Sequence, residues 1–435
     1  MSQDLKGLPP RRAAAGAIAE TLSQGRTLDQ TLPGQPDFKR LDGRDRAFAR
    51  AIAAMTFRRL GQTDAALSAF LDKPLPDTAH RARAVLRSAA AQILFLDTPA
   101  HAAADAAVSL MDERKQTQRY AKLANAVLRR VAENAAQLRE AAPVSANLPD
   151  WLRRSWAGAY GEAGLTAIAE SWMGEPPLDL TLRQPDQAAD WAETLEAAIR
   201  PDGGLRLARA PRDIAAMPGF DDGAWWVQDA AASIPARLLG DLTGKSALDL
   251  CAAPGGKTLQ LAARGAEVTA LDRSKARLKR LEENLARTGL SAAIVTADAL
   301  AWTPPDSALF DALLLDAPCT ATGTLRRSPE AAWIKRPEDA ANLSALQAEL
   351  LDRAAQWLKP GGALVYCVCS LQPEEGEAIA RAAPAGLTPE PVDPADYGLP
   401  EQAATGDGFL RLRPDFWPET GGMDGFFAAR FRRAS

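Results

Sequence analysis

Between Ser246 and Asp272 the chain reads SALDLCAAPGGKTLQLAARGAEVTALD: a short apolar run, a proline and two glycines, a helix-forming stretch, and a second apolar run closed by an acid. No other stretch limits the possible folds as much. Residues 247–250 have the composition of a buried strand, and Pro254-Gly255-Gly256 lets the backbone pass close to a ligand before Lys257 and Thr258 open a helix. Residues 267–271 read as the next strand. It ends at Asp272, where a carboxylate can accept hydrogen bonds from the two hydroxyls of a ribose. The stretch is half of a βαβ unit with the makings of a nucleoside-cofactor site. Its spacing is neither GxGxxG nor GxxxxGK[ST], which argues against a dinucleotide and against a nucleoside triphosphate. The glycines alone fit an ordinary tight strand-to-helix turn equally well.

A chain of 435 residues is too long for one core, so two or three domains are expected. With 47% apolar and 24% charged residues it can bury them. No run of 18 apolar residues occurs and the first twenty residues lack a signal-peptide core, so a cytoplasmic protein without a membrane span is expected. The four cysteines, Cys251, Cys319, Cys367 and Cys369, all lie in the C-terminal half, without CxxC or histidine spacing for zinc, and no metal is expected. The only histidines are His80 and His101. Catalysis in the C-terminal half would therefore rest on thiols and carboxylates. Charge is uneven: residues 1–140 carry +7 and the remainder −11. A basic front is compatible with a polyanion partner and equally with solvated helical faces.

Residues 8–138 show helical periodicity almost throughout, broken near Pro33-Gly34, Asp42-Gly43, Lys73-Pro74 and Thr98-Pro99. This predicts an all-α domain over 1–140. Arg44 and Arg46, with Arg50, Arg58 and Arg59 close by in sequence and Arg129 and Arg130 later, offer phosphate contacts if they share a face. Residues 141–150 read as a linker, and 141–222 as linker plus a small α/β insert. From 223 to 435, apolar runs at 247–250, 267–271, 293–296, 312–315 and 363–367 alternate with helical stretches, the signature of a mostly parallel sheet covered on both faces.

In such a sheet, ligands sit outside the carboxyl ends of the strands. Residues 251–257, Asp272, Asp298 and Asp316 each follow a predicted strand, so topology brings them to one edge. Cys319 in DAPCTATG and Cys369 in VYCVCSLQPEE begin loops after apolar runs, beside acids and Ser370. Those positions suit chemistry better than packing, whereas Cys367, inside its strand, suits packing.

These motifs carry resemblances. DGRDRAFARAIAAMTFRRL, LRSAAAQILFLDTPAHAAADAAVSL and KLANAVLRR resemble the NusB-type RNA-binding helical domain. CAAPGGK, DAPCTATG and the second cysteine before Ser370, with VQD at 227–229 and GMDGFFAARFRR at the end, resemble the RNA 5-methylcytosine methyltransferases that use S-adenosylmethionine, in particular their small-subunit ribosomal RNA members. The implied architecture is a NusB-like all-α domain followed by a Rossmann-like class I methyltransferase domain.

The resemblance further implies that Cys369 adds to carbon 6 of cytosine while Cys319 assists product release. Cys251, Ala252, Ala253, Pro254, Gly255, Gly256 and Lys257 would wrap the methionine part and ribose of the cofactor. Asp272 would hold the ribose hydroxyls, Asp298 would meet the adenine, and Asp316 would lie beside the reacting groups. Gln228 and Asp229 would order the site from outside, and Arg326, Arg327, Lys335 and Arg336 would contact phosphates near a flipped base. The expected partner is small-subunit ribosomal RNA, the expected state a monomer. Two positions depart from the family pattern: Thr320 stands for the usual serine, and Cys367-Val368 precede Cys369. The same chemistry on transfer RNA or another ribosomal RNA site, and a noncatalytic RNA-binding assembly factor, are the alternatives; both thiols being present weighs against the second. A DNA cytosine methyltransferase would carry its nucleophile in the proline-cysteine loop.

Overall fold

The computed structural model describes residues 7–211 and 213–434. The first six residues of the expected helical domain, Arg212 of the insert and the last residue of the catalytic domain lie outside the described residues. The chain divides into two compact units, Met1–Met173 with Leu325–Arg336, and Gly174–Thr324 with Pro337–Ser435.

The first unit is helical, built on Leu8–Gln24, Gly43–Arg58, Leu60–Ser68, His80–Phe95, Ala100–Asp112, Ala121–Glu133 and Asp150–Ser171 with shorter turns between them. Alanine at the contact positions lets these helices approach closely, and Ala13, Ala14 and Ala17 are buried beside Ala49, Ile52 and Phe57. Asp42 caps the second helix, accepting the Asp45 N–H at 2.8 Å. The expected boundary at 140 is not where the unit ends. Asn147, in the stretch read as a linker, is fully buried; its side-chain oxygen accepts the Gln62 N–H at 3.0 Å and its amide donates to Gln62 Oε1 at 2.9 Å. A reciprocal buried amide pair ties the stretch down, because leaving either group unpaired would cost about 1–3 kcal/mol. Leu325–Arg336, expected within the catalytic domain, also belongs to this unit: Trp333 donates to the Phe57 carbonyl at 3.0 Å, and Glu330 accepts the Leu28 N–H at 3.0 Å.

The second unit holds two sheets. Strands β1 (Leu178–Leu182), β2 (Ala198–Ile199), β3 (Leu205–Leu207) and β4 (Trp225–Val227) form a small antiparallel sheet in the order β2-β3-β1-β4. The main sheet comprises β5 (Ser246–Leu250), β6 (Glu267–Asp272), β7 (Ala293–Thr296), β8 (Phe310–Asp316), β9 (Leu358–Val368), β10 (Leu387–Pro389), β11 (Leu410–Leu412) and β12 (Phe426–Arg433). Its order is β10-β12-β9-β8-β5-β6-β7, with β11 also on β12. Pairings from β9 to β7 are parallel, and β12 runs antiparallel to β9, β10 and β11.

The central strands are apolar on both faces, as parallel strands must be. Ala312 and Leu314 enter one core, Leu313 and Leu315 the other; on β9, Val365 and Cys367 face the first, Leu364, Tyr366 and Val368 the second. Replacing Leu314 by alanine would cost about 2–5 kcal/mol. The chain moves outward from β5 to β6 and β7, then returns to β5's other side with β8. The order reverses between β5 and β8, which is where an open α/β sheet leaves a crevice.

Candidate active site

A cavity of about 240 Å³ opens at this switch point, and its walls include Cys251, Asp272, Asp298, Asp316, Cys319 and Cys369. Six of the residues expected to share a site therefore do so. Ala252, Ala253, Pro254, Gly255, Gly256 and Lys257 are not among its lining residues. Ala253 and Lys257 reach it through the lining carboxylates Asp272 and Asp316, to which they donate.

The glycine turn is built by close approach. Gly255 has φ +109°, and a Cβ there would lie 2.3 Å from Leu281 Cδ1, so only glycine fits. Cys251, after β5, takes φ +61°, a costly conformation for a side-chain-bearing residue that is held where the Ala252 N–H donates to the Leu271 carbonyl at 3.0 Å. Burial, reinforced by Asp316 and Asp272, pushes the Cys251 thiol up to about 12, which keeps it inert. Asp272 is buried at the end of β6 and accepts the Ala253 N–H at 3.2 Å and the Ser274 N–H at 2.8 Å. Arg277 Nη1 stands 3.5 Å from it. Asp298, after β7, is exposed and accepts the Leu300 N–H at 2.9 Å.

Beneath the cavity, Lys257 donates to Asp316 Oδ2 at 2.8 Å and lies 4.8 Å from the centre of the Phe426 ring. Burial pulls the ammonium down, but Asp316 and the neighbouring thiols more than offset this, leaving it above its ordinary value. Asp316 pairs in register with Cys367, whose thiol points to Asp316 Oδ1 at 3.6 Å. That thiol is fully buried, and burial raises it well above the usual range, Asp316 adding to the effect. Cys367 is packing, as its place inside the strand predicts. Asp249 on β5 is buried completely and accepts from Thr258 at 2.6 Å; burial pushes its carboxyl up to about 7.

The two remaining sulfurs meet: Cys319 Sγ and Cys369 Sγ are 3.4 Å apart, both half-buried and both free thiols. The hydrogen bond with Cys369, then burial, then the Cys369 and Glu375 charges hold the Cys319 thiol well above its ordinary value. Gly323 in the first loop donates to the Cys369 carbonyl at 3.0 Å and accepts the Gly425 N–H at 2.7 Å. A Cβ on Gly323 would lie 2.0 Å from the Gly425 oxygen, so the loops close only around glycine. Glu375, which no motif marks, is fully buried and bonds to both loops, at Thr320 and Ser370. The signal is local, a second acid in the run after Ser370, whereas Thr320 and Gln347, to which it also bonds, are distant in sequence.

Gln228 accepts from Trp226 at 2.9 Å and donates to Gln260 at 2.7 Å; Asp229 caps the Ala230–Arg237 helix and accepts the Asp424 N–H at 2.9 Å. Both order the surroundings rather than line the cavity.

The basic residues separate into two groups. Arg44, Arg46, Arg327 and Arg336 are exposed and Lys335 is half-buried. Arg326 is only 1% exposed, which removes it from the expected phosphate contacts: its segment folds into the helical unit, where its carbonyl accepts from Arg58 at 2.9 Å. Arg58 is likewise buried, and Arg59 stacks 4.9 Å over Phe95, so neither joins Arg44 on a common exposed face. Among the described residues, no group of three histidine, cysteine or acidic side chains is placed to hold a metal ion, and no helix is long and apolar enough to cross a membrane.

A parallel sheet with its cavity at the switch point, a glycine turn and acids at successive strand ends, joined to an alanine-rich helical unit, define an α/β methyltransferase with a NusB-like helical domain. The model of the family described as 16S rRNA methyltransferase RsmB/F matches residues 236–432, and that of the NusB family residues 8–133. The chain is 35% identical over 423 residues to the ribosomal RNA small subunit methyltransferase B of Salmonella arizonae, covering 92% of this chain and 97% of that one. The protein of the same name from Shewanella oneidensis is 33% identical, covering 98% and 99%. A crystal structure of a methyltransferase homolog protein from Pyrococcus horikoshii superposes with a TM-score of 0.56 at 27% identity, covering 66% of this chain and 95% of that one. The chain belongs to the 16S rRNA methyltransferase RsmB/F family.

Proposed function

We propose that this enzyme transfers a methyl group from S-adenosylmethionine to carbon 5 of a cytosine in small-subunit ribosomal RNA, acting in the cytoplasm as a monomer. The observation that carries the reading is the pair of sulfurs, Cys319 and Cys369, 3.4 Å apart on the wall of a cavity that also contains Asp272, Asp298 and Asp316. The residues present suit the cofactor: carboxylates complement its cationic groups, Asp272 stands where ribose hydroxyls would be accepted, and Leu346 and Leu350 offer an apolar wall. When bound, S-adenosylmethionine supplies a methyl group on a sulfonium centre.

Carbon 5 of cytosine is a weak nucleophile, so the Cys369 thiolate adds to carbon 6 and pushes electron density to carbon 5. Before that step the raised Cys319 keeps its proton and lies with its sulfur 3.4 Å from that of Cys369. Once Cys369 is bonded to carbon, its negative charge is gone, and with it a large part of what raised Cys319. Cys319 then gives its own proton to solvent and, as the thiolate, takes up the carbon-5 proton after methyl transfer, and the electron pair left on carbon 5 expels the Cys369 thiolate. Lys257 holds Asp316 in place at the cavity wall. Arg44, Arg46, Arg327, Lys335 and Arg336 supply phosphate contacts.

The test is transfer of a labelled methyl group to undermethylated small-subunit ribosomal RNA and, separately, to transfer RNA. Label on carbon 5 of a ribosomal cytosine is expected. Label on transfer RNA alone would keep the chemistry and overturn the substrate.

A further inference from the structure

Glu375 is buried completely, six residues after Cys369. Its Oε1 accepts the Thr320 backbone N–H at 2.8 Å and the Gln347 amide at 3.1 Å; its Oε2 accepts the Ser370 hydroxyl at 2.5 Å and the Thr320 hydroxyl. These four bonds use the full accepting capacity of a carboxylate. Thr320 directly follows Cys319, and Ser370 directly follows Cys369. One carboxylate therefore grips the residue after each thiol. The grip is braced from behind: the Gln347 amide also donates to the carbonyl of Pro318, the residue before Cys319, at 2.9 Å, and the Tyr366 hydroxyl lies 2.5 Å from the Glu375 carbonyl.

We infer that Glu375 is a positioning residue that sets the spacing of the Cys319 and Cys369 sulfurs, a conclusion about geometry that gains its catalytic meaning from the thiol roles proposed above. It touches neither sulfur. A fixed cation could not do the same work, because every donor that must be held here is an N–H or O–H. An amide in its place would keep one oxygen for the two N–H donors but present an NH₂ to the Ser370 and Thr320 hydroxyls, which must turn round to accept, so two charge-assisted bonds become neutral ones and the grip loosens. Misplacing reacting groups by about 1 Å costs roughly 100-fold in rate.

The experiment uses the full chain carrying Glu375→Gln or Thr320→Val, the second removing one hydroxyl from the grip while nearly conserving shape. Two measurements are made beside a melting curve. The first needs no RNA: diamide, a diazene oxidant, takes up the two thiol hydrogens as the Cys319–Cys369 bond forms, and the cross-linked peptide is counted by mass spectrometry. The second is kcat and KM for methyl transfer. Expected are a cross-linking rate lowered about ten-fold and a kcat lowered about 10–100-fold, with KM for the cofactor within two-fold of wild type. Should Glu375→Gln fail to fold, Thr320→Val alone decides. A folded variant that cross-links and turns over at the wild-type rate would overturn the inference. A wild type that cross-links readily yet methylates no RNA would instead count against the proposed function.

Discussion

The glycine turn and the two thiol loops lie at the ends of neighbouring strands, yet they are held in different ways. Around the turn the contacts are a tight packing fit, a short-range hydrogen bond and an ion pair: Gly255 fits under Leu281, Asp249 accepts from Thr258 nine residues on, and Lys257 pairs with Asp316. Around the thiols, hydrogen bonds from uncharged donors on three separate segments, at Thr320, Gln347 and Ser370, converge on a single carboxylate. The turn is a rigid seat that local sequence can specify. The thiol pair is a juxtaposition of two loops fifty residues apart, and only the finished fold brings them together.

That difference can be pressed by substitution. The largest effect is expected at the thiols: Cys369→Ala should lower methyl transfer at least about 10⁴-fold, as loss of a covalent nucleophile does, while cofactor affinity by calorimetry stays put. Parallel loss of cofactor binding would mean that the two regions are not separable.

Next comes Asp249, beneath the turn. Its carboxyl is near 3.8 when unfolded and about 7 when folded, so the native state holds a proton that the unfolded chain releases between those values. Stability should therefore fall as pH rises from 4 to 7, by up to roughly 4 kcal/mol from this group. Asp249→Asn should remove that part of the slope in urea titrations; an unchanged slope would show that the seat does not depend on this proton. Smaller again, Asp272→Ala should weaken cofactor binding about 10–100-fold, the scale of lost charge-assisted hydrogen bonds, while leaving the rate of Cys319–Cys369 cross-linking as in wild type. Smallest, Arg44→Gln with Arg46→Gln should weaken RNA binding a few-fold and flatten its salt dependence by about one or two units of slope, with kcat unaffected.

The same contrast explains what sequence could and could not reveal. The strands, the alternation with helices, and the convergence of Cys251, Asp272, Asp298, Asp316, Cys319 and Cys369 followed from apolar runs and one topological rule, because each residue sits at a strand end. The role of Glu375 was invisible because, beside nearby Ser370, its partners Gln347 and Thr320 lie 28 and 55 residues away and no spacing encodes them. Arg326 was misread for a related reason. An arginine after a loop reads as solvated, and nothing in its neighbours says that Leu325–Arg336 packs into the helical unit. Asn147 shows the opposite error, since small residues and proline suggested a linker where a buried amide pair anchors the chain.

The account stands most directly on which sulfur bonds to RNA. Full-length Cys319→Ala, Cys369→Ala and the double variant would each be incubated with S-adenosylmethionine and undermethylated small-subunit ribosomal RNA, then run on denaturing gels. A covalent protein–RNA adduct should accumulate with Cys319→Ala, because addition and methyl transfer proceed but release stalls, and should be absent from both variants lacking Cys369. An adduct that forms in Cys369→Ala and disappears when Cys319 is also removed would reverse the roles and contradict the mechanism.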